Sequence, residues 1–475
     1  MEPVQPVQPM NLLLLMSDEH NRQMLGSAGH PLVRTPHLDA LAARGVRLTD
    51  AYCNSPLCVP SRASLATGRY VSEIGTWDNA RPYEGTPPSW GAYLADAGRA
   101  VTTIGKLDFR GEGYPDGFAD QRRAGQRGEK GDLLGLFRDP VVKRPGSRQR
   151  VLEAGIGESG VTRKDRTVTA EAVEWLTQEG PHTSEPWTLH VSWLAPHFPL
   201  IVPQEYFDLY PLASIDLPEH SDEYLADLHP VVRQLRWHFD VDEPISEQQQ
   251  RICRAAYYGL CTFLDEQVGR VLEALERSGQ AENTRIIYVS DHGEMLGEHG
   301  LWWKCAMYEG AVGVPLIAAG PDLPRGRTLG TPASLVDLFP TILHGAGVPI
   351  PDGLPGRSLW PILGGPEDRD REVFCEYHGH GTPGAAYLLR AGSLKYVHYV
   401  GYRPQLFDLA SDPGERHDLA PDPRYAGTLA TFEERLRAIV DPEATDRRAK
   451  ADQSRRLGAL RAQGVAFPEA APWPG

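Results

Sequence analysis

The sequence predicts an α/β protein: a large, mostly parallel central sheet flanked by helices, followed by a smaller C-terminal α+β subdomain. Three observations predict it. Apolar runs that are continuous rather than alternating recur along the chain, as strands buried on both faces require. Segments with helical spacing of apolar residues lie between them, and strand–helix alternation calls for a parallel sheet covered on both sides. The polar stretch GGPEDRDRE (Gly364–Glu372) then sets off shorter strands and one more helix.

Taken in order, NLLLLMS (Asn11–Ser17) is the first buried strand. RTPHLDALAARG reads as a helix with Thr35 as N-cap, Pro36 at the first helical position, Leu38 and Leu41 facing inward and Gly45 as the stop. LCVPSRASLATGR (Leu57–Arg69) opens a further short helix. AVTTIGK (Ala100–Lys106), WTLHVSWLA (Trp187–Ala195), RIIYVSD (Arg285–Asp291) and VPLIAAG (Val314–Gly320) are core strands. Ser246 begins a long helix in which Leu260, Leu264, Val268, Val271 and Leu275 repeat at helical spacing. After the polar break come short strands around YLLRAGSLKYVHY and a helix in AGTLATFEERLRAIV. A chain of 475 residues exceeds what one core usually fills. The expected division is a catalytic domain over 1–365 and a C-terminal subdomain with a terminal tail over 366–475.

The composition is globular, 41% hydrophobic and 23% charged. A net charge of −15 argues against nucleic-acid or anionic-membrane binding, so an anionic substrate needs its own local cations. MEPVQPVQPM has no basic n-region, and the apolar run Leu12–Met16 is too short for a signal or a span. A cytoplasmic location is expected. The six cysteines form no CxxC pair, and no disulfide framework is expected. Cys253 and Cys261 read as buried small hydrophobes on one helix face. Cys58 alone keeps chemically active company.

In such sheets ligands bind beyond the carboxyl ends of the strands. Asp18, Lys106 with Asp108, His197, and Asp291 with His292 all fall there, and Lys304 follows in GEHGLWWK. Singly, each has a plainer role: a helix cap, a turn residue, a solvated lysine. Together they form a rim. Carboxylates with one imidazole suit Ca²⁺, Mn²⁺ or Mg²⁺, and the lysines with Arg62 can grip an anion. In CVPSR only three residues separate Cys58 from Arg62, and Pro60 lacks an amide donor. A thiolate wrapped around a phosphate needs a longer loop. C-x-P-x-R is instead the pattern for oxidation of cysteine to formylglycine, whose hydrate is a geminal diol.

CVPSRASLATGR resembles the signature of the formylglycine-dependent type I sulfatases of the alkaline-phosphatase superfamily. PHLDALAARGVRLTDAYCNSPLC, APHFP, SDHGEMLGEHGLWWK, VPLIAAGP and LVDLFPTIL resemble further family blocks in the right order. SDEH, DHG and the terminal DPEATDRRAKADQSRR resemble the branch of choline sulfatases and phosphonate monoester hydrolases. The resemblance implies an alkaline-phosphatase-like fold and one divalent metal held by Asp18, Asp291, His292 and the 3-oxoalanine (formylglycine) made from Cys58. It implies that Arg62 holds the hydrate, that Lys106, His197 and Lys304 meet the ester oxyanion or leaving group, and that Asn79 faces substrate. The implied reaction is attack of a hydrate hydroxyl on the sulfur of a sulfate monoester, with release of the alcohol and then of sulfate. A formylglycine-generating enzyme is the implied maturation partner, and a homo-oligomer is expected. Asp108 stands where the family pattern G-K-x-H has histidine. With Trp77, Tyr83, Trp193, Trp302 and Trp303 nearby in sequence, Asp108 is expected to meet a cationic alkyl sulfate such as choline sulfate. Two other readings share the scaffold: a phosphonate monoester or phosphodiester hydrolase, and a degenerate protein that binds an oxyanion without turnover.

Overall fold

The computed structural model describes residues 8–111, 113–128, 131–467 and 473. MEPVQPV, part of the segment from which the lack of a leader was read, lies outside them. Eight strands form the large sheet: β1 (Asn11–Asp18), β2 (Val46–Leu48), β3 (Ala100–Lys106), β4 (Asp120–Gly125), β5 (Trp187–Pro196), β6 (Thr284–Ser290), β7 (Leu316–Ala319) and β8 (Arg327–Leu329). Their order is β8-β2-β7-β6-β1-β5-β3-β4. β7 runs antiparallel to both neighbours, and every other pairing is parallel. VPLIAAG is therefore a core strand, as its apolar run predicts, but a reversed one.

β1 lies in the interior of this sheet and is buried at all eight positions. Its pleat sends Leu12, Leu14 and Met16 into one apolar cluster and Leu13 and Leu15 into the other. Against the second face pack α1 (Pro36–Ala43), α3 (Gly160–Glu174) and α4 (Glu247–Arg277); between α1 and α3 in sequence lies α2 (Cys58–Thr67). Ser246 caps α4 as its sequence predicts, accepting from the Gln249 amide.

Thr35 does not cap α1 with its side chain. Asp265, reaching across from α4, accepts the His37 and Leu38 amides at 3.0 and 2.8 Å. Tertiary packing thus supplies a cap that the local sequence lacks. Gly45 is needed for proximity as much as for a stop, because a Cβ there would lie 2.2 Å from the Ala318 carbonyl oxygen on β7.

The C-terminal part is an antiparallel sheet of β9 (Val373–Tyr377), β10 (Ala386–Ala391), β11 (Leu394–Tyr399) and β12 (Gln405–Asp408). One face carries Phe374, Tyr387, Leu389 and Tyr396 and packs on Phe432 and Leu436 of α5 (Ala426–Ile439). The other sends Cys375, Tyr377, Leu388 and Val397 into the same cluster that covers the first face of the large sheet. Buried Lys395 reinforces this junction, 2.8 Å from Glu309 and 2.7 Å from Glu415. The terminal DPEATDRRAKADQSRR is the start of α6 (Pro442–Ala462), which returns to the catalytic side. There Asp452 accepts from Trp77 Nε1, and Gln453 donates to Asp78 at 2.7 Å. Among the described residues no helix is long and apolar enough to cross a membrane.

Asp265→Ala leaves two helix-start amides without their acceptor. It is expected to cost about 1–3 kcal/mol, read as a lower urea midpoint at unchanged slope. An unchanged midpoint would show that the cap contributes nothing.

Candidate active site

The carboxyl ends of β1, β3, β5 and β6 meet the N-terminus of α2, and Cys58 is the first residue of that helix. Leu57 precedes it in extended backbone, and the helix start is fixed from two sides. Asn79 Oδ1 accepts the Val59 amide at 3.0 Å, and Ser61 Oγ donates to the Asp291 carbonyl at 2.6 Å. Cys58 Sγ then lies 3.2 Å from His292 Nε2 and 3.8 Å from Asp18 Oδ1, with Asp18, Asp291 and His292 all fully buried.

Ligand atoms of Asp18, Cys58, Asp291 and His292 all lie within 4.8 Å of one another. His292 Nδ1 faces the Gly293 carbonyl at 3.0 Å, which turns Nε2 toward the cluster. Two carboxylates, one imidazole and the residue-58 side chain fit a divalent cation. Burial opposes charge on His292, yet Asp291 and Cys58 push its pKa up to about 9. Burial raises the Cys58 thiol, as does Asp18, but Lys106, Lys304 and His292 outweigh them and hold it well below the usual range. Burial likewise raises Asp18, and Lys106, His197 and Arg62 more than reverse it.

Arg62 donates through Nε to Asp291 at 2.7 Å and through Nη1 to the Lys106 carbonyl and Ser192 Oγ, each at 2.9 Å. Its Nη2 is buried with no partner among the described residues, a donor free for a ligand. Lys106 donates to Asp18 and lies 2.9 Å from Asp108. Gly105 makes that turn possible: its φ is +102°, and a Cβ would meet the Ser192 carbonyl at 2.0 Å.

Across the site, Lys304 Nζ lies 2.8 Å from His197 Nε2, and both contact Glu19 Oε2, at 2.9 and 3.2 Å. Buried Glu294 sets the loop that presents Lys304 by accepting the Leu296 and Trp303 amides at 2.9 and 2.7 Å. All the sequence-predicted site residues therefore gather in one place. Glu19 joins them unforeseen. It follows Asp18 directly, with a left-handed φ of 68° that no local pattern announces.

Asp108 lines the site cavity and has two cationic neighbours. Its carboxylate is held by Lys106 on one side and by Arg127 on the other, Nε to Oδ1 at 2.9 Å and Nη2 to Oδ2 at 3.0 Å. It is not a free anion awaiting a cationic substrate. The aromatic expectation is narrowed too. Trp193 is core, with its Nε1 on Thr169, and Trp77 packs under α6. Tyr83 packs on Phe109, and Trp302 is buried away from the site cavity. Of the five only Trp303 lines that cavity, which has a volume of about 820 Å³. His380, from the C-terminal part, lines it as well.

An alkaline-phosphatase-like α/β fold with a buried cluster of metal-ligand type at its strand ends is the architecture of an oxyanion-ester hydrolase. The family model described as Sulfatase matches residues 10–348, and the model described as N-sulphoglucosamine sulphohydrolase, C-terminal, matches residues 297–441. The chain belongs to the sulfatase family and is a sulfuric ester hydrolase. It is 32% identical over 468 residues to choline-sulfatase of Rhizobium meliloti (strain 1021), covering 94% of this chain and 90% of that protein. Arylsulfatase K of Homo sapiens is 28% identical, over 91% of this chain and 82% of its own length. The solved phosphonate monoester hydrolase of Agrobacterium radiobacter superposes with a TM-score of 0.74 at 26% identity, over 90% of this chain and 95% of that one. These relatives fit the branch that SDEH and DHG suggest.

Asp18→Ala, Asp291→Ala and His292→Ala should each lower the divalent metal bound to purified protein, measured by elemental mass spectrometry, by removing one ligand apiece. Full stoichiometry in all three variants would place the metal elsewhere.

Proposed function

We propose that the chain hydrolyses a sulfate monoester through a formylglycine made from Cys58, releasing sulfate and an alcohol. The observation that supports this most is the placement of Cys58: first residue of a buried helix, in the C-x-P-x-R pattern, among Asp18, Asp291 and His292. Asp18, Asp291, His292 and residue 58 would hold one Ca²⁺, Mn²⁺ or Mg²⁺ ion. Such an ion supplies Lewis-acid polarisation of the ester and charge neutralisation. A hydrated formylglycine at residue 58 would supply a hydroxyl nucleophile and a second hydroxyl for releasing the sulfate. A serine or thiol would need external water for that last step.

The chain's own residues do the rest. Arg62, anchored on Asp291 with Nη2 free, orients the side chain of residue 58. Lys106 and Lys304 place two positive charges against the sulfate oxygens, where charge builds during transfer. His197 is the group of this set most open to the cavity, its side chain 26% exposed, and Glu19 beside it favours its protonated form against burial. It donates a proton to the departing alkoxide, with Lys304 stabilising the same oxygen. Residues 1–365 carry this chemistry, and 366–475 close the cavity wall through His380.

Maturation would require a formylglycine-generating enzyme. Six free, buried cysteines suit the reducing cytoplasm proposed as its location, and the chain is proposed to form a homo-oligomer. Choline sulfate keeps the support of the choline-sulfatase similarity but loses the Asp108 carboxylate as its ammonium partner. A phosphonate monoester hydrolase on the same scaffold is the second reading, favoured by the similarity to the Agrobacterium enzyme.

Cys58→Ser should leave far-ultraviolet circular dichroism unchanged and lower sulfate release by roughly 10³-fold or more, as expected for loss of a covalent nucleophile. Activity within tenfold of the parent would overturn the formylglycine reading. A higher kcat/KM for a phenyl phosphonate monoester than for any sulfate ester tried would favour the second reading.

A further inference from the structure

The site cavity, which Asp18, Leu57 and Lys304 line at the reacting end, carries seven lysines and arginines and only four aspartates, in a chain whose net charge is −15. Lys106 and Lys304 belong to the reacting end. The other five cations, Arg123, Arg127, Arg144, Arg150 and Lys164, lie along the wall beyond it. None of the wall's carboxylates is left to receive a cation. Asp108 is taken by Lys106 and Arg127, and Asp132 by Arg144 at 2.7 Å. Asp165 accepts the Leu194 and Ala195 amides at 2.8 and 2.7 Å. Arg150 and Lys164 are exposed and make no ion pair among the described residues.

Three polar atoms on this wall are buried without a hydrogen-bond partner among the described residues: Arg127 Nε, which still lies 2.9 Å from Asp108 Oδ1, Arg144 Nη1 and His380 Nδ1. Arg144 is linked to the reacting end through two residues: its partner Asp132 donates its amide to the Asn79 carbonyl, and Asn79 accepts the Val59 amide at the start of the Cys58 helix. A guanidinium with one arm on a carboxylate and the other unsatisfied in a cavity wall is a donor built for an oxygen acceptor.

We propose that this wall is a second anion subsite, and that the alcohol half of the natural ester carries its own carboxylate, sulfate or phosphate group. Arg144 Nη1 donates to that group, and Arg127, Arg150 and Lys164 supply the surrounding field. This inference rests on the sulfate-ester reading of the reacting end. It reverses the expectation of a cationic alcohol: an ammonium would meet a surplus of like charge and no free carboxylate.

The test uses inert sulfonates as probes. Isothermal titration of the metal-loaded full chain with 4-sulfobutanoate, butane-1-sulfonate and 3-(trimethylammonio)propane-1-sulfonate compares an added anion, no charge and an added cation. The anion-bearing probe is expected to bind at least about tenfold tighter than butane-1-sulfonate, and the cation-bearing one weakest, with the preference shrinking as salt rises. Arg144→Gln should cut the preference to below about threefold while moving the butane-1-sulfonate Kd less than about twofold. The exposed pair Arg150→Gln/Lys164→Gln should lower it as well without affecting thermal unfolding, which keeps the test valid if Arg144→Gln folds poorly. Equal affinity for all three probes, or tightest binding of the cationic one, would overturn the subsite.

Turnover of the matching esters, 4-sulfooxybutanoate and choline sulfate included, separates the two claims. A charge preference in binding with no ester hydrolysed would sink the hydrolase reading and leave the subsite standing. Hydrolysis of both esters with no charge preference in either assay would do the reverse.

Discussion

The molecule is organised around one constraint: carboxylates that are wholly withdrawn from water must be matched by charge within a few ångströms. Asp18, Glu19 and Asp291 have no exposed side-chain surface, and an isolated carboxylate so placed would cost several kcal/mol. Arg62, Lys106 and Lys304 answer them, each itself at most 8% exposed, although at Glu19 burial outweighs His197 and Lys304 and pushes the pKa up to about 8. Each pair joins different elements. Arg62–Asp291 ties α2 to the end of β6, Lys106–Asp18 ties β3 to β1, and Lys304–Glu19 ties the loop after β6 back to β1. The same pairs that hold the strand ends together therefore assemble the chemistry.

That arrangement explains why Cys58 sits where it does. A helix N-terminus brings partial positive charge to a site with a clustered set of carboxylates. The hydrogen bonds that fix it, a cap from Asn79 and a tether from Ser61 to the Asp291 carbonyl, arrive from outside the helix and from its own first turn. Asn79 is in turn steadied at one remove by the C-terminal helix, through Gln453 on Asp78. The C-terminal part is thus more than an appendage, since its sheet shares the apolar core and His380 reaches the cavity.

Much of this was legible in the sequence, for definite physical reasons. Buried central strands must be continuously apolar, so β1, β5 and β6 announced themselves, and the polar residues ending them marked the rim. What a run of apolar residues does not encode is direction, so the reversal of β7 was invisible. Glu19 was missed because its role depends on Lys304, 285 positions away, and on a backbone angle set by packing. The ion partners of Asp108 were hidden for a related reason. Its apparent freedom vanished once Arg127, 19 residues later on the far side of β4, folded back onto it. The tryptophans near the motifs in sequence mostly turned inward, as large apolar side chains in a protein of this size generally do.

The central claim is that Cys58 is a precursor rather than a thiol at work. The most direct measurement is peptide mass spectrometry of the segment containing Cys58, from protein produced with an active formylglycine-generating enzyme. The account predicts a peptide lighter by about 18 Da, as exchange of the thiol for an aldehyde requires, with the fraction converted tracking the specific activity of the preparation. An unmodified Cys58 in fully active protein would contradict it.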